Sequence, residues 1–201
     1  MRIGILLFDG VDLLDAGGPY EVFLTASRLA VRDGAAPPFD VVTLTADGQP
    51  VTAYGGLVLS PQTSVRNAGD LDVVIIPGAI DIDTAADDEA LLPSVEALTA
   101  GGAVAASVCT GAFLLGAAGL LRNRAWTTHW EDIDALAERL GDAGARRGVR
   151  WIDEGPVVTA GGLSSGIAMA LHLVDRFAGR DLAERTGRQL DYSWSPESAV
   201  A

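Results

Sequence analysis

Lysine is absent from these 201 residues: all fourteen basic side chains are arginine. That removes Schiff-base chemistry on a side-chain amine, a covalently attached pyridoxal phosphate and the phosphate-binding lysine of a P-loop. Cysteine occurs once, at Cys109, so no intrachain disulfide can form, and no charged-then-apolar leader opens the chain. Both features fit a reducing cytoplasm. Two histidines and one cysteine give no metal-ligand spacing, so no metal site is expected. Positive charge is scarce as well: the net charge is −13, with the acids spread along the chain. Without a basic face to neutralise phosphates, neither nucleic acid nor an anionic membrane surface is an expected partner. The stretch from Ala97 to Leu121 lacks charge and has the length of a membrane span, but Gly101, Gly102, Gly111, Gly116 and Gly119 interrupt it. It reads as a buried strand, a turn and a buried helix.

What is present is core-forming material, 49% hydrophobic against 20% charged, in a chain of one-domain length. Short apolar runs at Arg2 to Phe8, Phe39 to Thr45, Asp72 to Ile76 and Ala103 to Ser107 suit strands covered on both faces. Val51 to Ser60, broken by Gly55-Gly56, reads as a hairpin or bent edge strand, and Val149 to Thr159 as two short strands. Helices are expected from Gly17-Gly18-Pro19 onward, and over Asp87 to Ala100, Gly111 to Gly119, Trp130 to Leu140, Ser164 to Phe177 and Asp181 to Leu190. Strands alternating with helices predict a mostly parallel sheet between two helical layers, in one domain over residues 1–194 with a loose tail at 195–201. Ligands bind such sheets at the carboxyl ends of the strands, which points to Asp9 to Asp15, Pro77 to Ala79 and Val108 to Thr110.

Ser107-Val108-Cys109-Thr110-Gly111 has the small residues, two before and two after, that a nucleophile elbow demands. The helix starting behind Cys109 directs its dipole at the sulfur and favours thiolate. Asp15 reads either as a helix cap ahead of Pro19 or as a carboxyl group facing the cysteine. Asp9 and Asp12 read as solvated loop residues. His172, on an apolar helix, reads as a satisfied core histidine, and Trp130 and Trp151 as core or interface residues. His129 reads equally as a packing residue below the site or as a group near the cysteine. Glu21, just after Pro19, reads as a packed or capping acid, or a support for the catalytic pair.

Several segments together resemble the ThiJ/PfpI superfamily, which is similar to the class I glutamine amidotransferases. They are SVCTGAFLLG from Ser107, AGLL from Ala118, AWTTHW from Ala125, TAGG from Thr159 and the opening GILLFDGVDLLDAGGPYEVF. The isocyanide (isonitrile) hydratases and the sensor domains of AraC-type regulators are the most similar branches, and the match runs from Arg2 to about Trp194. The resemblance implies a flavodoxin-like α/β/α sandwich, a homodimer, and a cysteine nucleophile on the elbow at Cys109. It implies that Asp15 is the acid beside that cysteine, that Thr110 accompanies both, and that Gly78 and Ala79 match a turn whose backbone donors form an anion hole. His129 matches a histidine near, but not always engaged with, the cysteine. Thr110 stands where peptidase-like relatives carry a histidine, which argues against a Cys-His peptidase. The GGLSSG segment from Gly161 matches a family turn rather than a phosphate loop.

The function implied is cofactor-independent hydration of an isocyanide to an N-substituted formamide through a Cys109 thioimidate. The expected resting pair is a Cys109 thiolate beside a protonated Asp15. The same parts would serve another small electrophile, as in glyoxalase or deglycase chemistry, or a redox or ligand sensor. No basic helix pair follows the matched region, which argues against direct DNA binding.

Overall fold

The computed structural model describes residues 1–198; the end of the expected tail, 199–201, lies outside the described residues. Seven strands form the central sheet in the order β5-β2-β1-β6-β7-β9-β8. These are β1 (Arg2–Leu6), β2 (Asp40–Thr45), β5 (Thr63–Ser64), β6 (Val73–Ile76), β7 (Val104–Val108), β8 (Trp151–Asp153) and β9 (Val157–Ala160). Every neighbouring pair is parallel except β8–β9. The central strands are fully buried, with Ile3, Ile5, Val74, Ile75, Ile76 and Ala106 all at 0% exposure. A sheet covered on both faces needs such continuous apolar runs, and this is the physical basis for reading them from sequence.

Two short strands, β3 (Val51–Thr52) and β4 (Val58–Leu59), form the expected hairpin around Gly55-Gly56. The helices α1 (Leu13–Arg32), α6 (Ser164–Ala178) and α7 (Arg180–Gln189) pack on one another as one layer. The second layer holds α2 (Ile82–Ala86), α3 (Leu91–Thr99) and α4 (Gly111–Ala117), and α5 (Ile133–Leu140) follows after a long connection. The result is a flavodoxin-like three-layer sandwich with Cys109 at the end of β7. No helix among the described residues is long and apolar enough to cross a membrane.

Three expectations need correction. Helix α1 begins at Leu13, four residues before Gly17, because Asp12 caps it: its carboxylate accepts from Leu14 N–H at 3.0 Å. Pro19 therefore lies inside the helix and leaves the Asp15 carbonyl without its usual N–H donor. The helix expected over Asp87 to Ala100 begins only at Leu91, as α3, and the short helix α2 at Ile82–Ala86 precedes the expected range. Trp130 precedes α5, which begins at Ile133 rather than at Trp130, and at 75% exposure it is no core residue, whereas Trp151 is buried as expected. Strand β5 had no periodic signal, since two residues are too few to carry one. Toward the C-terminus the chain returns to the body, with Trp194 Nε1 donating to the Ala168 carbonyl at 3.1 Å and Arg150 N–H donating to the Ser198 carbonyl.

Candidate active site

Three strand ends meet at the top of the sheet. Beyond β1, Val11 bridges to Ala79 beyond β6, and Asp12 N–H donates to the Gly78 carbonyl at 2.9 Å. This pairing holds the start of α1 over the Pro77–Ala79 turn and drops Asp15, in the first turn of α1, into the centre of the site at 0% exposure. Beyond β7 the chain turns sharply at Cys109, which has φ +56°. A non-glycine residue in that region is strained, and nucleophile elbows hold their nucleophile in this way. The turn is pinned from two sides: Cys109 N–H is shared between the Ala160 and Gly161 carbonyls at 3.1 and 3.0 Å, and Thr128 Oγ1 donates to the Cys109 carbonyl at 2.7 Å.

Gly78 shows how closely these segments approach. A Cβ there would lie 2.5 Å from Thr110 Oγ1, 2.7 Å from Thr110 N and 3.0 Å from Asp15 Oδ2. At Gly111 a Cβ would lie 2.2 Å from the Ile76 carbonyl oxygen, so the helix behind the cysteine presses directly on the end of β6. No side chain fits at either position.

The two backbone donors expected to form an anion hole have other work. Gly78 N–H donates to Asp15 Oδ2 at 3.1 Å, and Ala79 N–H donates to Thr110 Oγ1 at 2.9 Å. Each N–H carries one hydrogen, so both are committed to holding the site together. The Thr110 hydroxyl in turn donates to the Ala79 carbonyl at 2.8 Å, closing a two-bond staple between the elbow and the turn. The side chain of Thr110 is thus a positioning group. Its backbone N–H is the donor directed at the sulfur of Cys109.

Electrostatics at the pair acts on both members in the same direction. Burial, with help from the Asp12 carboxylate, pushes the Asp15 carboxyl up from 3.8 to about 7, against the Gly78 N–H, the Cys109 thiol and the Leu163 N–H, which favour the charged form. Burial and the neighbouring Asp15 push the Cys109 thiol up from 9.0 to about 12, against the Thr110 N–H and with smaller contributions from Asp12 and Asp132. Both shifts have one cause, two ionisable groups sharing a dry site, and the doubly ionised pair is the form this disfavours most. Asp15 Oδ1 is buried and has no partner of good hydrogen-bond geometry among the described residues. An acceptor held dry beside a thiol suits proton transfer.

The remaining predicted residues fall on both sides of the site boundary. The imidazole of His129 lies against Gly162, where a Cβ would meet its Cδ2 at 2.2 Å, and its Nδ1 is 3.2 Å from Asp132 Oδ2. Glu21 is exposed on α1 and accepts from Thr25 Oγ1 at 3.0 Å, taking no part in the hydrogen bonds around Cys109. Asp9 accepts from Thr52 N–H and Asp12 is the α1 cap, so neither is merely solvated. His172 is satisfied by Asp153 at 2.7 Å and stacked on Trp151. Sequence reasoning missed Thr128, Asp132 and Leu163. Thr128 and Leu163 sit in the AWTTHW and GGLSSG segments, and Leu163 has φ +49°, a strained backbone that no sequence pattern announces. Beside the elbow is a cavity of about 470 Å³, walled by Thr128, His129, Trp130, Gly161 and Leu163 among others. Among the described residues no group of three or more His, Cys, Asp or Glu is placed to hold a metal ion.

This arrangement, a strained cysteine elbow facing a buried acid from the first helix, meets a family match over most of the chain: the DJ-1/PfpI family model covers residues 1–176. The chain belongs to the DJ-1/PfpI family. Among relatives of this DJ-1/PfpI protein, the isonitrile hydratase of Pseudomonas putida is 35% identical over 196 residues, covering 98% of this chain and 80% of that one. The HTH-type transcriptional regulator GbdR of Pseudomonas aeruginosa is 30% identical over 190 residues, covering 94% of this chain but 50% of the regulator. A crystal structure of a ThiJ/PfpI family protein from Pseudomonas syringae superposes with a TM-score of 0.81 at 27% identity, covering 97% of this chain and 76% of that one.

Proposed function

We propose that this DJ-1/PfpI protein is a cysteine-dependent hydratase that converts an isocyanide and water to an N-substituted formamide, without a cofactor, as a homodimer in the cytoplasm. The observation that carries the reading is Asp15: fully buried, lifted to about 7, and set against the Cys109 thiol. The 35% identity to the P. putida isonitrile hydratase supports the substrate class. In the first half-reaction the sulfur bonds to the terminal carbon of the isocyanide. The thiol proton passes to Asp15 and from there to the same carbon, giving a thioimidate, R–N=CH–S–Cys109. In the second half, Asp15 takes a proton from water as its oxygen bonds to that carbon. The C–S bond breaks, the two hydrogens of water end on nitrogen and sulfur, and the formamide leaves with the thiol restored. Because Asp15 must be ionised to accept the thiol proton, kcat/KM should rise with an apparent pKa near 7.

The test is incubation of the purified protein with methyl, cyclohexyl and benzyl isocyanide, following the formamides by mass spectrometry. Turnover of at least one is expected, with loss of about 10³-fold or more in Cys109→Ala. No turnover of any of them rejects the reading, and methylglyoxal in the same assay asks whether a different electrophile is used. The regulator relatives favour a second reading, a sensing domain. That sensor would respond to a ligand or to oxidation of Cys109, and selective oxidation of Cys109 by mild peroxide without turnover of any substrate would favour it.

A further inference from the structure

With 27 acidic side chains against 14 arginines, an arginine that needs an acid should find one nearby. Arg139 pairs with Asp83, and Arg147 with both Asp134 and Asp142. Arg124 and Arg146, in the same stretch of chain, pair with no acid among the described residues and reach only backbone carbonyls. Arg124 Nη1 donates to the Glu154 carbonyl at 3.5 Å, and Arg146 Nη1 donates to those of Ala143 and Ala145 at 3.1 and 3.0 Å. A guanidinium carries five N–H donors, so most of theirs have no acceptor among the described residues. The two side chains line one cavity of about 320 Å³, together with Leu121, Trp126, Leu140 and Gly144. Leu121 and Trp126 are buried, which gives the cavity an apolar floor. Its walls are fixed by the fold. Trp126 N–H donates to the Gly144 carbonyl at 2.9 Å, and Arg146 N–H donates to the Trp126 carbonyl at 2.8 Å. A Cβ at Gly144 would lie 2.4 Å from the Arg124 carbonyl oxygen, so these two segments touch through their backbones. Neither Cys109 nor Asp15 lines this cavity.

Holding backbone carbonyls accounts for one nitrogen of Arg146. It does not account for two cations sharing a cavity with an apolar floor, where like charges repel unless an anion joins them. The planar fork of a guanidinium matches the two oxygens of a carboxylate, and such charge-assisted pairs are the strong hydrogen bonds of binding sites. The tryptophan and leucine floor matches a hydrocarbon body attached to that carboxylate, and a few hundred Å³ is the size of small-ligand pockets. Inorganic phosphate would satisfy the arginines but leave the floor in water. We infer that this cavity is a second binding site, separate from Cys109, for a small organic carboxylate with a compact apolar body. Arg124 and Arg146 hold the carboxylate, and the Trp126 side of the cavity receives the body. Walls already set by backbone hydrogen bonds keep the ordering cost of binding low. The site does not depend on the hydratase reading.

Calorimetric titration of the full chain with sodium benzoate, benzamide and inorganic phosphate tests this. Benzoate should bind; benzamide, its uncharged counterpart, should bind about tenfold more weakly or worse, and phosphate more weakly than benzoate. Arg124→Gln and Arg146→Gln should each weaken benzoate about tenfold. Arg124→Lys, which keeps the charge and loses the fork, should fall between wild type and Arg124→Gln. Cys109→Ala should bind benzoate within about twofold of wild type, since the sulfur lies outside the cavity. Arg146 is exposed and Arg124 half-buried, so the thermal midpoints of these variants should move little. The indole N–H resonance of Trp126 should shift with benzoate more than those of Trp151 and Trp194, which do not line the cavity. No binding of benzoate, equal affinity for benzamide, or tighter binding of phosphate overturns the inference. So does an affinity indifferent to both arginines, or one lost in Cys109→Ala, which would put the anion at the elbow. None of these outcomes bears on isocyanide turnover.

Discussion

At Asp15 a carboxyl group has been taken wholly out of water, and the consequences can be measured at that one residue. Folding raises its pKa from 3.8 to about 7, so between those values the folded protein holds a proton that the unfolded chain has lost. Stability should therefore fall as the pH rises from about 4 to 7 and level off above, because ionised Asp15 is the disfavoured form. Asp15→Asn keeps an acceptor for the Gly78 N–H and removes the ionisation. It should be more stable than wild type at pH 8, by up to ~4 kcal/mol, with a smaller difference at pH 5, while being inactive. Thermal melts at the two pH values check this, and a constant difference between them would refute it. The same substitution also decides who holds the proton. With the carboxylate gone the thiol should acidify, so Cys109 should react with iodoacetamide faster than in wild type at pH 8 to 9. Slower alkylation in Asp15→Asn would instead mean that Asp15 sustains a thiolate. The sequence left Asp15 open between a cap and a catalytic acid, and only a family resemblance favoured the second. The physical answer lies three residues earlier: Asp12 takes the cap, so Asp15 falls in the first turn of the helix and is buried.

At the scale of elements, the site is a junction of two turns that no single element could make. The elbow between β7 and α4 and the turn after β6 are held together by the Thr110 hydroxyl and by the absence of a Cβ at Gly78 and Gly111. Thr110→Val keeps the shape and removes the hydroxyl, which strands the buried Ala79 N–H. A loss of about 1–3 kcal/mol is expected, together with lower activity from a displaced turn. Gly111→Ala should cost more, since its Cβ meets the Ile76 backbone at 2.2 Å and backbone yields less readily than a side chain; about 3 kcal/mol or failure to fold is expected. Chemical denaturation of both variants tests the ordering, and a Gly111→Ala protein as stable as wild type would contradict the close approach. The elbow was legible because its steric demand is local, falling on residues two before and two after the nucleophile. The fate of the Gly78 and Ala79 donors was not legible, because their acceptors come from residues 63 and 31 positions away.

For the whole molecule the remaining question is assembly. Large apolar side chains are exposed at Leu13 and Leu24 on α1, at Tyr54, Leu57 and Val58 on the hairpin, and at Ile80. We expect a homodimer that covers part of this surface. Size-exclusion chromatography with light scattering should give about twice the 20.8 kDa chain mass, and a monomer at micromolar concentration would remove the dimer from the proposal. The charge of −13 acts at this scale too, setting solubility and repelling polyanions without choosing a fold.

What the amino-acid order determined by itself is what depends on near neighbours. The buried strands announced themselves as short apolar runs, the helices by their spacing, and the elbow by its small residues. The exclusion of lysine chemistry needed only a count. The tertiary structure alone decided where α1 begins to face the sheet, that Asp15 is dry, that its carboxyl and the Cys109 thiol are both pushed up, and that Trp130 stands on a cavity wall. Each of these depends on water being excluded, or on partners brought together, by segments far apart in the chain. A titrating group responds to every charge and dipole around it, and those are fixed only when the chain has closed on itself.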